Sequence, residues 1–174
     1  IVKNSLPNFN VELDMYLKQQ QSKKIIKLYN DNKPHQYMEA MQLAFNISQN
    51  SYIQLLNDDM LIPKENTNWL KIMQKYLETN AKCGSVSIYQ YLDDKKRLYT
   101  KGELDIKKPG RTWGTICNNI KTLPATLEVL WNNFSCTMLR REFIEKYKFL
   151  DIVKKEQYHY GSDSCYCRHI IKQG

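Results

Sequence analysis

The residues with the clearest capacity for chemistry are Asn57-Asp58-Asp59, which follow the short apolar run Tyr52-Ile53-Gln54-Leu55-Leu56. Two adjacent carboxylates leaving a buried strand suit a hard divalent cation, because Mg²⁺ and Mn²⁺ prefer oxygen ligands and commonly bridge protein carboxylate to substrate phosphate. In an extended segment the two side chains project to opposite sides, so Asp59 can hold the metal while Asp58 meets sugar or ribose hydroxyls. The same three residues also suit an exposed turn after a strand. The five cysteines, Cys83, Cys117, Cys136, Cys165 and Cys167, include no C-x-x-C pair. They encode neither a zinc knuckle nor a complete disulfide framework, and read as small buried hydrophobes in a reducing compartment. No G-x-x-x-x-G-K-[ST] run is present, which removes the P-loop nucleotide hydrolases.

The elements that must position the acidic pair come from an ordinary globular composition. The 174 residues are 42% apolar and 25% charged, with only 6 Gly and 5 Pro, which excludes collagen-like, repeat and largely disordered chains. No apolar run approaches the roughly 18 residues of a membrane span, and Ile1-Val2-Lys3-Asn4 is not a signal peptide. A cytoplasmic chain is expected, with room for association at a membrane surface. The net charge of +8, with small clusters at Lys95-Lys96-Arg97 and Lys107-Lys108-Pro109-Gly110-Arg111, favours anionic partners. Nucleic acid, an acidic membrane face and a phosphate-bearing substrate satisfy it equally.

Along the chain, residues 1–3 read as a strand and Asn4-Ser5-Leu6-Pro7-Asn8 as a loop. A helix follows from Asn10, and residues 24–29 form a β-rich run before the turn at Asn30-Asp31-Asn32-Lys33-Pro34. The spacing predicts a second helix over 35–47 with Tyr37, Met41, Ala44 and Phe45 on one face, then a strand over 52–56 buried on both sides. A third helix over 66–79 carries Trp69, Ile72, Met73, Tyr76 and Leu77, and residues 84–89 form another strand. Strand and helix alternate throughout, so a mostly parallel sheet wrapped by helices is the economical architecture. Residues 91–122 break the rhythm and suggest an irregular excursion or short hairpin. Strands are expected over 127–131 and 134–139 around an Asn132-Asn133 turn, with helices over 141–147 and from Gly161-Ser162-Asp163 to about Lys172.

Taken in order, several segments resemble the glycosyltransferase family 2 type of GT-A sugar-nucleotide transferase. They are Ala40-x-x-x-Ala44-Phe45-Asn46 before the strand ending in Asn57-Asp58-Asp59, then Trp69-Leu70, then Gly84-Ser85-Val86-Ser87. The later half contributes Phe134-Ser135-Cys136-Thr137-Met138-Leu139-Arg140-Arg141-Glu142, Phe149-Leu150-Asp151 and Gly161-Ser162-Asp163-Ser164-Cys165-Tyr166-Cys167-Arg168. The resemblance covers residues 24–174 in order, and residues 1–23 more loosely. It departs in Ser162, where Glu is frequent, and in lacking the Gly usual before the second helix.

The resemblance implies an α/β fold. It would be a single GT-A, Rossmann-like domain with a mostly parallel central sheet flanked by helices and a small antiparallel portion. Residues 1–90 would form the nucleotide-sugar half and residues 91–174 the acceptor half. It implies transfer of a sugar from a nucleotide diphosphate sugar to a glycan, lipid or protein hydroxyl, with inversion and with Mn²⁺ or Mg²⁺. Asn4, Ser5, Pro7 and Asp31 would hold the nucleobase and ribose, although Asp31 also suits an ordinary turn. Asn57 and Asp58 would lie by the ribose and diphosphate, and Asp59, with Asp58, would bind the metal. Asp163 would be the general base, with Asp151 in reserve, a role worth about 10² to 10⁴ in rate; Ser162 or Asp163 could instead cap the last helix. Arg168 could reach phosphate, as could His159 and His169, and Trp113, Trp131 and Tyr99 are candidate platforms for an acceptor sugar. A metal-dependent nucleotidyl or phosphoryl transferase is the main rival, and a basic nucleic-acid-binding module ranks third.

Overall fold

The computed structural model describes residues 15, 18, 19, 37–57, 60–62, 65, 67–91, 98–100, 125, 126, 128, 129, 131–148, 151 and 162–173. The chain divides into two compact units, Ile1–Gln49 and Asn50–Gly174. In the first, Met15, Lys18 and Gln19 are helical, and helix α1 spans Tyr37–Ile47. Met41 and Phe45, four apart and therefore on one stripe, are its buried residues, as the periodicity requires. The strands expected over 1–3 and 24–29 lie outside the described residues.

The second unit holds β1 (Tyr52–Leu56), α2 (Trp69–Thr79), β2 (Ser85–Ser87), β3 (Gln90–Tyr91), β4 (Leu98–Thr100), β5 (Cys136–Arg140), α3 (Arg141–Lys146) and α4 (Ser162–Gln173). Strands β3 and β4 pair with each other, the short hairpin anticipated in the turn-rich stretch. The other three form a sheet of order β1-β5-β2, antiparallel at both junctions.

This arrangement overturns the mostly parallel, Rossmann-like GT-A sheet. The helical crossover from β1 to β2 does return the chain in the same direction, as the strand-helix-strand rhythm requires. However, β5, about 50 residues later in sequence than β2, runs between them in the opposite sense and takes both ladders. No parallel pair exists among the described residues. A strand expected over 127–131 is also not found, since the described residues of that stretch are irregular.

Register explains why β5 is buried from Cys136 to Leu139. Residues directly opposite each other share a face. Gln54, Met138 and Val86 therefore line one side, while Leu55, Thr137 and Ser87 line the other. Helix α2 covers the first side, where Met73 and Leu77 pack with Met138, flanked by Tyr52, Trp69 and Val86. Ile72, expected on this stripe, lies at its margin, and a sheet of three strands is too narrow to cover it; it is 67% exposed. Helix α4 meets the second side, where the Cys167 thiol hydrogen-bonds the Ser85 side chain.

The end of the sheet at Arg140 is a clasp. Its guanidinium donates to the carbonyls of Leu77, Asn80 (3.1 Å) and Cys83 (2.9 Å), and lies 5.8 Å from the Tyr52 ring centre. The carbonyls at a helix C-terminus have no partner within the helix, so one Arg supplies what α2 and the chain just beyond it lack. Arg141 continues the clasp by donating from its side chain to the Asn50 carbonyl at 2.9 Å. Gly84 sits under the Phe143 ring so closely that a Cβ there would lie 2.6 Å from a ring carbon.

Candidate functional site

At the opposite end of the sheet, β1 is followed by Asn57 and β5 begins after the turn 132–135. The Asn57 N–H donates to the Ser135 carbonyl at 2.8 Å, and the Asn57 carbonyl accepts from the Met60 N–H at 3.3 Å. The root of the acidic pair is thus held on both sides by main-chain bonds. Asp58 and Asp59 themselves lie outside the described residues.

The turn is built by its own side chains. Asn133 accepts the Ser135 N–H on its Oδ1 at 2.7 Å, the closure that makes Asn a turn residue. Thr137 donates its hydroxyl to the Asn133 carbonyl. The Ser135 Oγ donates to Gln90 Oε1 at 2.7 Å, across 45 residues of chain, and Gln90 Nε2 reaches Ser87 Oγ at 3.4 Å. Ser87 in turn donates to the Cys136 carbonyl at 2.7 Å. Gln90, Asn133, Ser135 and Thr137 are all buried, so each of these bonds offsets a desolvation cost that would otherwise be of order 1–3 kcal/mol.

The same turn receives α4. The Phe134 and Tyr166 rings meet edge to face with centres 6.2 Å apart, and the Cys167 thiol is hydrogen-bonded by the Asn132 main chain. Asn132 also donates from Nδ2 to Ser85 Oγ at 3.2 Å. Asp163 stands in the first turn of α4, one turn before Cys167 and on its stripe, half-buried. Its charge reaches the thiol: Cys167 is pushed up to about 12, chiefly by burial, with Asp163 adding to the rise. The helix N-terminus favours an ionised carboxylate at Asp163.

The remaining candidates are placed as follows. Asp151 is exposed, its N–H bonded to the Lys148 carbonyl at 2.9 Å, in a turn where Lys148 takes a positive φ of 43°. Arg168 is exposed, next in sequence to buried Cys167 and so rotated about 100° from the packed stripe. Trp131 is buried at 8% exposure, so it packs in the interior rather than offering a face to a sugar. Asn4, Ser5, Pro7, Asp31, Trp113 and His159, and the side chain of Tyr99, lie outside the described residues.

At this end Cys136, the first residue of β5, is held as a thiol: burial pushes it up to about 11, a rise that a Gln54 hydrogen bond only moderates. A protonated thiol is a poor metal ligand, which disfavours a soft-metal site. Among the described residues no three His, Cys, Asp or Glu side chains converge.

Sequence reasoning missed Gln90, Ser135 and Asn133 as a group. The Asn132-Asn133 turn signal and the segment beginning Phe134-Ser135 pointed to this place, but not to its bond with Gln90. No helix among the described residues is long and apolar enough to cross a membrane. Compared with known proteins, the chain matches no family model, and no curated sequence or solved structure is significantly similar to it.

Proposed function

We propose that this chain transfers a sugar from a nucleotide diphosphate sugar to a hydroxyl acceptor, with inversion and with Mn²⁺ or Mg²⁺. The reading does not rest on the fold. One observation carries it: the turn 132–135 is hydrogen-bonded to Asn57, the root of the acidic pair, and packs against the helix that holds Asp163 in its first turn. The segment that leads into Asp58 and the helix that carries Asp163 in its first turn both meet this turn, which supports the reading. Asp59, with Asp58, would hold the cation, whose chemistry is to neutralise charge on the departing nucleoside diphosphate. Asp163 takes the proton of the acceptor hydroxyl as its oxygen bonds to the anomeric carbon and the bond from that carbon to the diphosphate breaks. The net charge of +8 draws a doubly phosphorylated donor from a distance.

Thermal unfolding with UDP, GDP and TDP, each with and without Mn²⁺, tests the reading. A ligand binding only the folded state stabilises it by about 2.7 kcal/mol at a hundred times its Kd. One nucleotide should raise the melting temperature only when metal is present, and Asp59→Ala should abolish that shift. Asp163→Asn should keep the shift and stop transfer. No shift with any nucleotide, together with salt-sensitive binding to DNA or RNA, overturns the reading in favour of a nucleic-acid module.

A further inference from the structure

We draw no further inference here: the strongest candidate, the exposed apolar surface that Leu61, Leu70 and Ile72 present along the chain from β1 into α2, carries nothing, because the exposed Glu65, Lys71, Lys75 and Glu78 of the same stretch balance in charge and nothing in the structure shows what covers it.

Discussion

At one end of the sheet, Arg140 donates to the carbonyls of Leu77, Asn80 and Cys83; at the other, Ser135 distributes its polar groups among Asn133, Asn57 and Gln90. Arg140 ties β5 to one continuous stretch, 77–83, whereas Ser135 ties its own turn to two segments distant in sequence, and their partners differ in kind. The Arg140 clasp answers a need created by secondary structure itself, because the last carbonyls of a helix have no partner within the helix. The Ser135 cluster answers no such need: a strand start can be closed by apolar packing and main-chain bonds alone. Its link to Asn57 is a main-chain bond, from the Asn57 N–H to the Ser135 carbonyl, while its side chains bond within the cluster.

Breaking the clasp should separate the two ends most clearly. Arg140→Met leaves a set of carbonyls short of donors and removes a charge-assisted bond, and should cost about 2–3 kcal/mol in urea unfolding. Nucleotide and Mn²⁺ binding should be unaffected; a parallel loss of binding would mean that the ends are not independent. Gly84→Ala acts at the same end, since the Gly84 carbonyl accepts the Arg140 N–H at 3.0 Å. The new methyl would collide with the Phe143 ring, so a loss of about 1–3 kcal/mol is expected, relieved by Phe143→Leu in a double-mutant cycle.

The smallest effect sharpens the picture at the other end. Cys136 ionises near 9 when unfolded and at about 11 in the fold, so the folded state keeps its proton over that window while the unfolded state loses it. Its contribution is complete below pH 9 and is lost progressively as pH rises from 9 towards 11, at a slope on the order of 1 kcal/mol per pH unit. Urea unfolding at pH 8, 9 and 10 reads this slope, and Cys136→Ala should flatten it. An unchanged slope in that variant would place the ionisation elsewhere, with Cys167, raised by the same burial, the next candidate.

Much of the local structure was legible in the residues. The apolar run 52–56 is a strand, the Met73 and Leu77 stripe is the inward face of a helix, and Ser162–Gln173 is a helix with Asp163 in its first turn. These follow from periods of two and 3.6 and from the apolar surface that such periods gather on one side. Strand direction was not legible. A strand-helix-strand rhythm fixes the sense of β1 and β2 but leaves open what lies between them, and β5 filled the gap from 50 residues away.

The candidate site divides along the same line. Asn57-Asp58-Asp59 and Asp163 stand out by type and position, after a strand and at a helix start, where a turn and a cap are the ordinary alternatives. Gln90 and Ser135 carry no such signal, being common polar residues 45 positions apart, one beside a hairpin and one in a turn. Sequence by itself determined that 52–56 is a strand and that 69–79 and 162–173 are helices, since those depend on near neighbours in the chain, but not the irregular stretch at 128–131. Only the tertiary structure decided that β5 runs antiparallel between β1 and β2, and that Ser135 meets both Asn57 and Gln90, because contacts between distant segments are set by which buried groups can satisfy one another once the sheet has closed.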